Sequence, residues 1–430
     1  MSGMIPGRQY IITVGLAVIC VVAGFAAGWL LKPPETVEVQ PPAPPPIKLG
    51  SVAPLTGPFA SSGEEMKRGL EMAVNEINAR GGILGRSVQL VLRDVEDMSP
   101  DKIISAFEDL CAKEKVDFIV YGWTVVYGPQ WDICAKYGVP VLHVETVKEF
   151  EDWIKNHPND RWLNFMADAP DTYYGIGFAK FLDILIAEGY YKPLNKKIAM
   201  MRGEDAYGQR ICEVFKDEML NRGWTVVIDE TITFGTVEYT PILSRIRAES
   251  PDAIINTDLV TSDLVAFMKQ FRENPTRSLF ITAFGAAAPE FIQLGGPAVE
   301  GVIWTTMLGQ LRGDPVREAW AEKYRTLYGE EPGEDAAFVY DMVQMWAIAT
   351  AVAGTTEPKA VCKQLEKTIY RGNCGTYLFN EWHWSPGYPD TTDDPSLGLP
   401  HLFYQIQNQQ NALIYPKPFN VSTFQLPPWF

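Results

Sequence analysis

From residue 47 onward the chain alternates between short β-like runs and longer helix-like runs, and that alternation restricts its fold more than any other feature. IKLGSVAPL (47–55), SVQLVLRDV (87–95), VDFIVYG (116–122) and VPVLHVE (139–145) read as strands, separated by helices at 63–80, 99–114 and 128–138. Strand–helix–strand repeats imply a parallel sheet with right-handed crossovers. A second series follows, with strands at 196–203, 224–232, 252–258, 278–285 and 300–307 and helices at 207–222, 239–249, 261–273 and 287–294. Three more helices are expected near 315–328, 335–353 and 357–369. The tail offers GTYLFN (375–380), then LFYQIQNQQ (402–410) and ALIYP (412–416) as a hairpin joined at Asn411. The pattern predicts an α/β chain with two parallel-sheet units.

The N-terminus obeys a different rule. IITVGLAVICVVAGFAAGWLL (11–31) is 21 residues without a charge, and about 20 such residues cross a bilayer as a helix. Residues 1–31 therefore read as an uncleaved transmembrane anchor, with a signal cleaved near Ala26–Gly28 as the alternative. Arg8 before the segment, and Glu35 and Glu38 soon after Lys32, place the start of the chain in the cytoplasm and the body outside the cell membrane. Residues 32–46, KPPETVEVQPPAPPP, form an extended proline-rich tether. The net charge of −16 argues against nucleic acid, and against docking on an anionic lipid surface, since both need clustered Lys and Arg.

Between the first strand and helix lies GPFASSGEE (57–65). It has neither the G-x-x-x-x-G-K-[ST] nor the G-x-G-x-x-G spacing of phosphate cradles. Glu64 and Glu65, read at the helix start, satisfy its dipole and repel phosphate, so the glycines signify a tight turn and close packing. Catalytic signals are thin. None of His143, His157, His383 and His401 belongs to a metal motif, and His143 reads as a core histidine. No nucleophile elbow or acid–base pair stands out; no enzyme activity and no cofactor or metal is expected. In the acid-rich stretch 381–401, a Ca²⁺ site at Asp390, Asp393 and Asp394 competes with an ordered surface insertion. Cys111 and Cys134 fall at similar heights on neighbouring helices, as a disulfide or as two buried thiols. Cys362 and Cys374 are a second candidate disulfide across a helix and a turn, with Cys212 left as a buried thiol.

Residues 47–94, with PLTG, the Gly63–Gly69 helix start and EIN-x-x-GGILGR, resemble the opening of the branched-chain amino-acid and amide binding proteins of ABC importers. EDAYGQRICEVFKDEM (204–219), SPDAIINT (250–257), AVEGVIW (298–304) and FVYDMVQMWAIATAV (338–352) resemble later landmarks of that family. The resemblance implies a type I periplasmic binding protein: two Rossmann-like α/β lobes joined by a three-strand hinge, with a small ligand between them and no catalysis. Carried onto this chain, lobe 1 spans 47–165 and 304–375, and lobe 2 spans 166–303 and 376–430, with an insertion at 382–400. The implied partners are an amino acid, amide or amine ligand, ABC permease subunits, and the membrane through the N-terminal helix. A sensor ectodomain is the alternative function; an enzyme is a third.

The resemblance also implies a ligand set: Ser62 on the lobe 1 rim, Trp123, Thr124, Val126 and Tyr127 after the third strand, Glu145 and Thr146 after the fourth, and Tyr207, Asp258 and Phe284 in lobe 2. Val126 stands where the family's carboxylate-binding hydroxyl is expected, and Phe284 where its ammonium-binding acid is expected. Glu145 adds a negative charge. The expected ligand is accordingly more cationic or more amide-like than a branched-chain amino acid, with Glu145 receiving its donor group.

Overall fold

Five strands, β1 (Ile47–Ala53), β2 (Val88–Asp94), β3 (Phe118–Val120), β4 (Val141–His143) and β5 (Asn164–Met166), form a wholly parallel sheet in the order β2-β1-β3-β4-β5. The computed structural model describes residues 44–430 other than 289, 310, 312 and 418; the expected anchor, and the expected tether up to residue 43, lie outside the described residues. Helices α1 (Ala60–Ala79), α2 (Pro100–Glu108), α3 (Pro129–Tyr137) and α4 (Lys148–Asn156) connect these strands. β3 and β4 are buried at every position, as strands covered on both faces must be.

After α5 (Asp171–Ala187) the chain builds a second sheet from β6 (Lys197–Gly203), β7 (Thr225–Ile232), β8 (Ala253–Asn256), β9 (Leu279–Thr282) and β10 (Ile303–Thr306), interleaved with α6 (Ala206–Asn221), α7 (Thr240–Glu249), α8 (Thr261–Glu273) and α9 (Glu290–Gly295). It then supplies α10 (Pro315–Tyr328), α11 (Glu334–Ala353) and α12 (Pro358–Leu365) and a small ladder of β11 (Tyr370–Arg371) with β12 (Thr376–Tyr377). The hairpin β13 (Leu402–Gln407) and β14 (Gln410–Tyr415) closes the second sheet, whose order is β14-β13-β10-β9-β8-β6-β7. β6 to β10 are parallel; β13 and β14 are antiparallel.

α1 and α11 meet backbone to backbone. A Cβ at Gly69 of α1 would lie 2.3 Å from the Ala336 carbonyl oxygen of α11, and one at Gly63 would lie 2.0 Å from the Pro54 carbonyl oxygen. Only glycine permits both approaches. α11 is apolar around most of its circumference and buried along most of its length, the pattern of a core helix.

Several expectations are corrected. α1 starts at Ala60, not 63, so Glu64 and Glu65 sit beyond the first turn and do not cap the dipole. Glu64 instead pairs with Lys67 at 3.2 Å and Arg68 at 3.1 Å. The hairpin turns at Asn408 and Gln409, both with positive φ, while Asn411 lies inside β14 opposite Ile406; a two-residue turn of this kind matches strand twist. The 375–380 strand shrinks to β12.

All five described cysteines are free, buried thiols, so neither expected disulfide is formed. Cys111, on the π-helical turn 109–114 after α2, does face Cys134 on α3, and the two thiols share a hydrogen bond. Cys362 points into the core from α12, whereas Cys374 is held beside Asp341 and Tyr377.

The 382–400 insertion is ordered, and it extends the edge of the first sheet. Met166 N donates to the His383 carbonyl at 2.8 Å, and Ser385 N donates to the carbonyls of Met166 and Asp168 at 3.2 and 3.1 Å. Its three acids are not gathered for a cation. Asp390 accepts from Tyr173, and Asp393 from Lys180, from Tyr415 at 2.9 Å and from His401 N at 3.0 Å; Asp394 accepts from Ser396 N at 2.9 Å.

Candidate functional site

The carboxyl ends of both sheets open toward one cavity, the position where open α/β sheets take ligands. From the first sheet come Trp123, Thr124 and Tyr127 after β3, Val144 to Val147 after β4, and Asp168 after β5. From the second come Tyr174 of α5, Tyr207 of α6, Leu259 after β8 and Phe284 after β9. Thr306, Leu308 and Phe338 complete the wall. The space open to water-molecule centres is about 60 Å³.

Aromatic rings close the mouth edge to face. Phe234 meets Phe59 at 6.3 Å, Phe59 meets Trp123 at 5.4 Å, and Trp123 meets Phe284 at 5.9 Å, all between 80° and 86°. The series passes from the β7 side across to β3 and back to β9. At the α9 end, the Ser61 hydroxyl donates to Glu290 at 2.7 Å across the same gap. These contacts bridge the mouth from the first sheet's side to the second's.

Glu145 is 2% exposed and already heavily bonded. It accepts from Tyr121 OH at 2.6 Å, from Gln130 Nε2 at 3.0 Å and from the Thr124 hydroxyl. Burial pushes its carboxyl up to about 7 while these donors hold it down. Behind it, His143 stacks between Trp131 and Tyr121, with ring centroids 5.3 Å from each. Glu145 N donates to its Nδ1 at 3.0 Å, so Nε2 carries the proton and donates to Asn164 Oδ1 at 2.9 Å. Burial lowers His143 to about 3, so the ring is neutral at physiological pH.

Asp168 is equally buried but less well served. Its Oδ1 accepts from Ala169 N at 2.7 Å and its Oδ2 from Tyr174 OH at 3.2 Å; burial holds its carboxyl well above the usual range. Further acids ring the wall. Asp205 caps α6 through Gly208 N at 2.9 Å, and burial raises it to about 6; its second oxygen has no partner among the described residues. Asp335 accepts from Trp123 Nε1 at 3.0 Å and is raised by burial to about 7.

Of the residues expected to touch ligand, Trp123, Thr124, Tyr127, Glu145, Thr146, Tyr207 and Phe284 line this cavity. Three do not. Ser62 hydrogen-bonds Asp335. Val126 stands off the wall, its carbonyl accepting from Thr124 at 2.9 Å and Gln130 at 2.5 Å. Asp258 is fully buried, accepting from Val260 N at 2.9 Å, and lends only its neighbour Leu259 to the wall. Asp168 and Tyr174 are the polar residues of two newly contributing segments, after β5 and in α5, that line the cavity and that sequence reasoning missed. The only signal was positional: residues just past a strand's carboxyl end face the cleft, and β5, NFM (164–166), is too short to stand out as a strand.

A family model for periplasmic binding proteins matches residues 46–384. The chain is 26% identical over 362 residues to Leu/Ile/Val-binding protein homolog 2 of Brucella abortus, covering 84% of this chain and 90% of that one. Among solved structures it superposes on a putative branched-chain amino acid ABC transporter from Silicibacter pomeroyi with a TM-score of 0.82 at 34% identity, covering 90% of this chain and 100% of the other. It also superposes on the substrate-binding protein LivJ of Streptococcus pneumoniae in complex with isoleucine, with a TM-score of 0.72 at 20% identity over 86% of this chain and 100% of that one, a likeness of fold.

Proposed function

This chain belongs to the periplasmic binding protein family, and on that premise we propose that it is an extracytoplasmic solute-binding protein that delivers a small polar ligand, an amino acid, amide or related amine, to an ABC permease. The observation that carries the reading is the enclosed cavity built jointly from the carboxyl ends of two sheets, with Trp123 and Glu145 on one side and Tyr207 and Phe284 on the other. A wall contributed by two sheets is made and unmade by their relative motion, which is how a clamp binds and releases.

In this reading lobe 1 comprises 47–165 and 304–375, and lobe 2 comprises 166–303 and 376–430. The uncharged stretch 11–31 anchors the body to the cell membrane, and residues 32–46 tether it. The wall residues act by binding and orientation, and the ligand leaves unchanged. Small-angle scattering tests the clamp. The radius of gyration should fall when a ligand identified by native mass spectrometry is added; a radius unchanged at saturation would refute it.

A further inference from the structure

We infer that the ligand of this cavity is a compact organic cation without a carboxylate of its own, an alkylammonium whose charge faces Asp168 and whose carbon shell meets aromatic rings. The inference rests on the proposed binding function and names the ligand class for that same cleft.

The charge of the wall comes first. It holds two acids, Asp168 and Glu145, and no Lys, Arg or His among its described residues. Asp205 and Asp335 reinforce the sign from behind. Any ionised wall acid would repel a carboxylate brought into this space, and no cation of the wall offsets the hydration that carboxylate would lose.

The donors of the wall point the same way. Thr124 donates to Glu145, Thr146 to the Ala169 carbonyl, Tyr174 to Asp168 and Trp123 to Asp335. These four side-chain donors, which could otherwise grip a carboxylate, are therefore already committed to protein acceptors. Two hydroxyls are left, those of Tyr127 and Tyr207, for which no hydrogen bond is found among the described residues. They suit a neutral polar tail such as an alcohol.

Shape completes the argument. Six aromatic side chains, Trp123, Tyr127, Tyr174, Tyr207, Phe284 and Phe338, line the space, and aromatic faces attract alkylated ammonium groups. The space open to water-molecule centres, about 60 Å³, favours a compact ligand over an extended one. Asp168 is the better counter-charge than Glu145, since fewer protein donors hold it and it lines the cavity beside Tyr174.

The test is calorimetric titration of the full chain with tetramethylammonium, choline, 3,3-dimethylbutan-1-ol, leucine and propionamide. The neutral alcohol has the shape of choline without its charge. At least one cation should bind, and choline at least about tenfold tighter than the alcohol. Asp168→Asn should abolish that preference. The comparison of choline with the alcohol needs no variant, so it decides the matter even if the substitution does not fold. Failure of both cations to bind, equal binding of choline and the alcohol, or a preference for leucine or propionamide would overturn the inference. Leucine binding accompanied by a smaller radius of gyration would overturn the cation and keep the solute-binding function. Cation binding with no contraction would keep the cation and overturn the clamp.

Discussion

Asp252 and Asp168 are both 2% exposed, yet their surroundings differ. Asp252 lies just before β8, at the end of the second sheet away from the cavity. It accepts from the backbone N–H groups of Leu194, Asn195 and Lys196 at 2.6–3.0 Å, and Tyr191 OH approaches at 3.3 Å. The result is a turn fastened to a strand. Asp168, at the cavity, receives one backbone donor and one tyrosine hydroxyl. A buried carboxyl with its donors supplied holds the fold together, whereas one left short of donors, beside an empty space, favours whatever can supply them. The contrast teaches that burial alone does not distinguish a structural acid from a binding one; the donor count does.

The largest expected effect breaks the structural side. Asp252→Ala leaves several N–H groups without their acceptor, each costing up to about 1–3 kcal/mol where water cannot reach it. Urea unfolding should show a loss of about 2–4 kcal/mol, with binding by the surviving folded protein unchanged. Next, Asp168→Asn should cost little stability but weaken cation binding about tenfold or more, equivalent to about 1.4 kcal/mol. A variant that unfolds like Asp252→Ala and binds like the parent would erase the distinction.

A pH series sharpens the same comparison. Burial raises Glu145 to about 7 in the empty cavity, and Asp168 upward as well. The groups facing Glu145 are Thr124, Tyr121, Gln130, Tyr127, Cys134 and neutral His143; those facing Asp168 are Tyr174, Tyr207, Asp171 and Glu334. None supplies a positive charge. A bound cation favours the ionised carboxyls, so its affinity should rise with pH through 7, by up to about tenfold per unit for each proton released. Calorimetry in buffers of different ionisation enthalpy would count those protons, and an affinity that falls over this range would contradict the cation.

The smallest effect concerns the unliganded protein. Asp258 and Asp171 are raised by burial to about 8, Asp341 and Asp335 to about 7, and Asp205 to about 6. An acid whose folded value lies above its unfolded value of about 4 gives stability that is complete below the unfolded value and lost as pH rises through the folded one. Melting temperature should therefore be higher near pH 5 than near pH 8, by a few degrees, and added cation should narrow the gap. Scanning calorimetry at the two pH values measures both.

Much of the architecture was legible because the strands are apolar runs flanked by turn residues. The nine elements of the second series, β6 to β10 with α6 to α9, all begin and end within about three residues of where the pattern puts them. What escaped notice is instructive. α5, DTYYGIGFAKFLDILIA, is apolar on nearly every side and has no polar face to reveal a helical period. β5 is three residues long, too short for alternation to register. Missing these two hid Asp168 and Tyr174, which follow β5 and begin α5. Within the recognised cleft, residue types were readable but hydrogen-bond states were not. Glu145 lines the cavity, yet the three donors that occupy it come from positions 121, 124 and 130 and depend on how β3 and α3 fold back.

The insertion's attachment has a mechanical meaning. Residues 383–385 bond the end of β5, while Asp390 and Asp393 hold Tyr173 and Lys180 on α5 and Tyr415 on β14. The first passage of the chain from one sheet to the other is thereby stitched along its outside. In the proposed clamp, a joint stitched along one side is expected to swing like a door rather than a ball in a socket, opening about one axis with little twist. An empty body would then present its transporter with one repeatable open shape instead of a broad range of them, and each closure would return the aromatic edges of the mouth to the same register.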